Sequence, residues 1–347
     1  MMKKISKLLL VLLASSVVLV SCSSDDDSND NVSLGNYDHG FFVLNEGTST
    51  TATITFVSNS GAVEQDIFRN VNPTAPATGT YLQSMFFDDT RAFIISGLAN
   101  QITVVNRYTF QYLATITTNI QNPRYGVVLN GKAYVTNSAD FESNTDDFLT
   151  VINLADNSTT KVNLNKVSEK ILEENGKLYI SNGSFSGHET VTVFNPATNT
   201  SEQVINLGFI PNSFDEENNT LYVMGNNKIG KVNLTTNQLT STITLPETQT
   251  DAKNLTIEDD KIYYTVNTSV YVMALNATSA PTTPLLTYTS GSLYGGMYGF
   301  AVNDGKIYVA EGGNFASDSQ VFVYSPTGNL EKTVSVGVGP NNFYFND

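Results

Sequence analysis

Imidazole and thiol chemistry is confined to three positions in this 347-residue chain, His39, His188 and Cys22. His39 reads as a surface residue near the start of the folded part, which leaves one histidine for chemistry and excludes a multi-histidine metal site. His188 stands beside Glu189 in a stretch without strand pattern, where a ligand contact or an acid–base role is open. Glu46 and Arg124 are the other loose candidates for acid–base work. Asp140-Phe141-Glu142-Ser143-Asn144-Thr145-Asp146 sets oxygen side chains at every second position, as calcium loops do. It lacks the turn glycine and distant bidentate Glu of an EF-hand, so a looser Ca²⁺ site and a plain solvated acidic loop both stay open. Gly295-Gly296 leads into neither a Lys-Ser/Thr pair nor a helix, which leaves a phosphate cradle unsupported. No Gly-x-Ser-x-Gly elbow marks a serine hydrolase.

These residues hang on a repeat. Asp-Gly-Lys-Ile-Tyr-Val at 304–309 recurs as Asn-Gly-Lys-Ala-Tyr-Val at 130–135 and Asn-Gly-Lys-Leu-Tyr-Ile at 175–180. Looser copies start at Asn218, Asp259 and Asp88, and Phe41-Phe42-Val43-Leu44 is the first member. The aromatic anchors Phe93, Tyr134, Tyr179, Tyr222, Tyr263 and Tyr308 are spaced by 41, 45, 43, 41 and 45 residues. That period suits four-stranded propeller blades. In each copy an apolar strand precedes the turn, the anchor strand follows it, and two more short β-branched strands complete the unit. No window shows a sustained helical period.

The first copy begins at its second strand, and the chain ends on Pro340-Asn341-Asn342-Phe343-Tyr344-Phe345, which matches the first strand of other copies. The C-terminal strand therefore supplies the missing element and closes the ring, which protects open sheet edges. The expected fold is an all-β, seven-bladed β-propeller of four-stranded antiparallel blades over 39–347. Alternate connections then fall on opposite faces. Asn130-Gly131, Asn175-Gly176 and Asp304-Gly305 are two-residue hairpin signals and define a tidy face with little room for a site. The opposite face carries the longer loops, which bring Tyr81, Arg124, Tyr125, Phe141, Phe185, His188, Phe209, Tyr294, Tyr298 and Phe315 toward one rim. Loops on a rigid scaffold are where binding residues concentrate. The alternative is that these rings pack their own loops.

The first residues carry their own message. Lys3, Lys4 and Lys7 precede an apolar run from Leu8 to Val20, the pattern of a secretory leader over 1–21. The run ends Leu19-Val20-Ser21-Cys22, which resembles the lipobox of bacterial lipoproteins and implies lipidation of Cys22. Several acyl chains on one residue anchor a protein stably where one does not. Residues 22–38 read as a tether, acidic through Asp25-Asp26-Asp27 and too polar to fold. The tether resembles the export signal that sends Bacteroidota lipoproteins to the outer face of the outer membrane; a spacer without a sorting role is the alternative. Losing Lys3, Lys4 and Lys7 with the leader leaves 15 basic against 33 acidic side chains, a formal charge of −18. That excess repels phosphate backbones, so nucleic acid is not a partner.

The Gly-Lys-x-Tyr-Val/Ile strands, with Val-Ile-Asn-Leu and Val-Phe-Asn-Pro strand ends, resemble the YncE-like (YVTN-repeat) propellers across residues 40–347. Together with leader and tether, the chain is similar to the cobalamin-binding propeller lipoproteins of Bacteroidota. The resemblance implies capture of cobalamin, or another large cofactor or siderophore, for a TonB-dependent outer-membrane transporter, with the membrane contacted through the lipid alone. Two other readings share the architecture, a lactonase-like or quinoprotein enzyme and a protein-interaction scaffold. Quinone-cofactor propellers usually stack the cofactor on Trp, and this chain has none.

Overall fold

The computed structural model describes residues 33–183, 187–292 and 296–346. Asn130-Gly131, Asn175-Gly176 and Asp304-Gly305 all take left-handed φ, between 48° and 74°. Two consecutive positive φ values make the hairpin turn whose twist matches its flanking strands. Asn218-Asn219 and Asp259-Asp260 do the same without glycine, at φ between 50° and 59°, because Asn and Asp tolerate this region best after glycine. Each turn joins an innermost strand to an anchor strand. Repetition gives seven four-stranded antiparallel sheets among the described residues, a seven-bladed propeller.

The innermost strands, in ring order, are Pro340–Asn346, Leu82–Phe87, Pro123–Leu129, Ile171–Glu174, Ser213–Glu217, Ala252–Glu258 and Met297–Asn303. They belong to blades 1 to 7. Blade 1 is built from both ends of the domain, as the sequence predicts: Pro340–Asn346 pairs antiparallel with Gly40–Asn45, setting Val43 opposite Phe343 and Phe41 opposite Phe345. The seam is also held by side chains. Buried Asn346 donates through Nδ2 to the Tyr37 carbonyl at 2.6 Å, while its Oδ1 accepts from Arg107 Nε.

Between each pair of neighbouring blades lies one apolar cluster, seven in all among the described residues. The anchor aromatics sit inside these clusters, each buried to 8% exposure or less. Burying one such ring is worth about 1.5–3 kcal/mol, so the repeat that spaces the anchors also supplies the cohesion between blades. At the closing seam, Phe41 meets Tyr308 edge-on with centroids 5.0 Å apart, and Phe343 lies 5.6 Å from Tyr308.

Three features depart from the sequence reading. Tyr37, placed in the tether, is 3% exposed and packs edge-on against Phe56 and Phe110, so the folded body takes in the last tether residues. A short helix, Ile67–Val71, leads into blade 2 and buries Ile67 and Phe68; five residues are too few to show a period. The hairpin face is less tidy than expected, with grooves of about 450 Å³ beside Tyr222 and Lys231 and about 550 Å³ beside Arg91 and Arg107. Blades diverge from the axis, and two-residue turns cannot fill the wedge between them. The cations there are already engaged: Lys231 Nζ donates to the carbonyls of Leu275 and Ala277, and Arg91 pairs with Asp88.

Candidate functional site

Six residues ahead of each tight turn, the innermost strand reaches the loop-rich face. Counting back from Asn130, Asn175, Asn218, Asp259 and Asp304 gives Arg124, Glu169, Asn212, Lys253 and Tyr298. Gln83 and Asn341-Asn342 hold the corresponding level in blades 2 and 1. One polar or phenolic residue per blade thus rings the mouth of the axial channel. Neighbours hand over from blade to blade: Asn342 Nδ2 donates to the Gln83 carbonyl at 3.2 Å, Asn341 Nδ2 to the Leu82 carbonyl at 2.8 Å, and Asn212 Nδ2 to the Ala252 carbonyl at 2.8 Å.

Arg124 is the centre of this ring. Its Nε and Nη2 grip Glu169 at 2.9 and 2.7 Å, and Nη1 donates to Gln83 Oε1 at 2.6 Å. Both charged side chains are only 14% exposed. Burial works against the guanidinium charge, but the Glu169 carboxylate more than restores it, with smaller help from Tyr125 and Glu46, so Arg124 holds its proton more tightly than usual. Gln83 Nε2 also donates to Tyr125 Oη at 3.2 Å, and Lys170 Nζ sits 4.6 Å from the centroid of the Tyr125 ring.

Across the mouth stands a second group. Tyr298 donates its hydroxyl to Glu46 and meets Phe315 edge-on, with centroids 4.9 Å apart. Burial raises the Glu46 carboxyl above its ordinary value, while the Tyr298 hydrogen bond and the Arg124 charge pull it down. Burial, then the Glu46 charge, pushes the Tyr298 phenol upward. These mutual fields make the two groups one polar network facing the axis. A site of this kind can read the hydrogen-bonding groups of a ligand laid across it, with Tyr298 and Phe315 offering ring faces or edges.

The structure therefore brings together Arg124, Tyr125, Tyr298 and Phe315 among the residues singled out from sequence. Tyr81 is adjacent: it holds a left-handed φ of 53°, and the next residue, Leu82, donates its N–H to the Glu46 carbonyl. Phe141 is 38% exposed on a more peripheral loop of blade 3. His188 lies on a loop of blade 4, its N–H bonded to the Asn182 carbonyl at 2.9 Å. Phe209 belongs elsewhere: at 2% exposure it packs in the apolar cluster between blades 4 and 5, where Gly230 leaves room for its ring. Phe185, Tyr294 and Cys22 lie outside the described residues.

In the acidic loop of blade 3, three carboxylate oxygens accept backbone N–H groups. Asp140 Oδ1 accepts from Glu142 N–H, Asp146 Oδ2 from Asp140 N–H, and Asp147 Oδ2 from Ser168 N–H at 2.6 Å. Among the described residues no three His, Cys, Asp or Glu side chains converge on a common point that could hold a metal ion.

A profile of DUF5074, a domain of unknown function, matches residues 39–345. The chain belongs to the DUF5074 family. Its extent is the whole ring described above, so the family unit and the propeller coincide. Among solved structures, this DUF5074 propeller resembles a quinoprotein alcohol dehydrogenase-like protein from Bacteroides thetaiotaomicron, at 15% identity and a TM-score of 0.70, covering 90% of this chain and 79% of that one. A functionally unknown protein from Desulfotomaculum acetoxidans gives 13% identity and a TM-score of 0.67, over 88% of this chain and 98% of the other. Apo AztD from Citrobacter koseri gives 12% and 0.59, over 88% and 96%. Likeness at these identities speaks for the fold alone. No curated protein matches the sequence.

Proposed function

We propose that this propeller is a ligand-capture module whose binding surface is the loop-rich face around the channel mouth. The observation that carries the reading is the Gln83–Arg124–Glu169 and Glu46–Tyr298–Phe315 network. Charged groups held out of solvent on a rigid ring are costly to maintain for stability alone, and they offer pre-formed hydrogen-bonding groups beside aromatic surface, the usual make-up of a ligand site. The leader over 1–21, Cys22 directly after it and the acidic tether support a lipid-anchored protein on the outer face of an outer membrane. In that place, a large polar cofactor or siderophore, cobalamin among them, is the ligand class, and a TonB-dependent transporter is the receiver.

The quinoprotein-like name of the Bacteroides neighbour raises an enzyme reading. It has less support here, since the chain has no Trp to stack a quinone. The test is retention of colour. The purified protein is incubated with cyanocobalamin, haemin or a ferric siderophore and separated from free ligand by gel filtration. Near-stoichiometric colour with one ligand, lost in Arg124→Met and in Tyr298→Ala, is the expected result. No retained colour from any of the three removes the reading.

A further inference from the structure

Below the mouth, the axial channel is itself a pocket. A cavity of about 490 Å³ is lined by inner-strand residues of blades 2 to 5, including Phe86, Phe87, Tyr125, Leu172 and Phe214. Only the axis brings Phe86 of blade 2 and Phe214 of blade 5 into one space. The wall mixes aromatic and aliphatic side chains with the polar groups of Lys170 and Glu173, and Gly126 leaves room for the Phe86 ring, because a Cβ there would stand 2.4 Å from it. That volume lies within the range of small-molecule sites, roughly 300–1,000 Å³, too small for a macrocycle yet ample for one or two fused rings.

Two charged residues line this space, Lys170 just ahead of the innermost strand of blade 4 and Glu173 within it. Lys170 lies toward the loop-rich face, its ammonium over the Tyr125 ring, and no carboxylate among the described residues forms an ion pair with it. Glu173 also lines the cavity, and its Oε1 already accepts the Gly176 N–H of the tight turn at 2.9 Å. Three residues of extended backbone set their Cα atoms about 10 Å apart. The channel is thus polarised, with an unpaired cation at the mouth end and an acceptor at the hairpin end. A cation on an aromatic face in partly desolvated surroundings attracts one negative charge, whereas a second charge placed beside Glu173 would be repelled.

We infer that the channel binds a flat aromatic monocarboxylate, carboxylate on Lys170 and a hydroxyl or amine donor toward Glu173, either as a free small molecule or as an arm of a ligand lying across the mouth. The inference rests on the loop-rich face being the ligand-facing side. Its test uses 6-hydroxy-2-naphthoate, whose own fluorescence reports binding, against the neutral 6-hydroxy-2-naphthamide. Saturable one-to-one binding is expected, at least tenfold tighter for the carboxylate. Lys170→Met should erase that tenfold preference while Lys170→Arg keeps most of it, both with unchanged circular dichroism.

Equal affinity for acid and amide in the unaltered protein, or an unchanged preference in Lys170→Met, overturns the inference; so does an absence of saturable binding. The outcome is separable from that of the capture reading. Colour retention lost in Tyr298→Ala, without naphthoate binding, sinks the channel alone, and naphthoate binding without colour retention sinks the capture reading alone.

Discussion

Removing Glu169 should destabilise the propeller far more than removing Glu169 and Arg124 together. In Glu169→Leu the guanidinium loses two charge-assisted hydrogen bonds of 2.9 and 2.7 Å while keeping Gln83 Oε1 at 2.6 Å, at a place where it is 14% exposed. Stranding one member of a buried pair costs about 3–5 kcal/mol, whereas replacing both members with apolar groups is close to neutral. Gln83 and the Glu46 field hold part of the charge, so the lower end, about 3 kcal/mol, is expected for Glu169→Leu. The double variant Arg124→Met/Glu169→Leu should then lie within about 1 kcal/mol of the parent, a coupling of about 2 kcal/mol or more. Equilibrium urea unfolding followed by circular dichroism measures this. With a slope near 3 kcal/mol/M for a domain of this size, the single variant's midpoint should fall by about 1 M. A double variant as unstable as the single one would refute the reasoning, because the loss would then be packing and not a stranded charge. A stable double variant that no longer holds ligand would instead place the value of the pair in recognition.

Other perturbations probe other parts. Burial pushes the Asp147 carboxyl up to about 7, aided by the charges of Asp146 and Glu169 and opposed by the Ser168 N–H. The folded state then keeps a proton that the unfolded chain releases near pH 4, so stability falls as pH rises from about 4 to 7, by at most about 1.4 kcal/mol per unit. Asp147→Asn should lose this component, seen as a flatter urea midpoint between pH 5 and 8; an unchanged pH slope would count against it. Phe343→Ala at the closing seam should cost about 3–5 kcal/mol, while Leu330→Ala, 54% exposed on an outer strand, should stay within about 0.5 kcal/mol by the same denaturation. Gly305→Ala tests the hairpin turn: a Cβ there meets nothing within 4 Å, so its cost of about 1–2 kcal/mol is backbone strain at φ 66°.

Architecture was legible because each blade repeats its turn chemistry beside its anchor. Asn-Gly and Asp-Gly mark the hairpins, and Tyr three residues after the glycine marks the strand that fills the gap between blades. Ring closure was legible for the same reason, since Phe343-Tyr344-Phe345 has no partner unless it meets Phe41-Phe42-Val43. The site was legible only in part. Loop position pointed to Arg124, Tyr125, Tyr298 and Phe315, yet it swept in Phe209, whose backbone leaves the loop but whose ring turns into the core. Gln83, Glu169 and Lys170 were missed because nothing local distinguishes them from surface polar residues. Their meaning comes from the axis, where residues 40 or more positions apart in sequence meet. Counting a fixed distance back from every tight turn would have found Glu169 and Lys253, since the shared register sets the level of the mouth.

The most direct measurement is backbone hydrogen exchange of the purified protein with and without the ligand that it retains. The account predicts slowed exchange around Glu46, Gln83, Arg124, Tyr298 and Phe315, on the loop-rich face and the upper ends of the innermost strands. Protection confined to the tight turns of the other face, at Asp88 to Arg91 or Asp259 to Lys261, would contradict it.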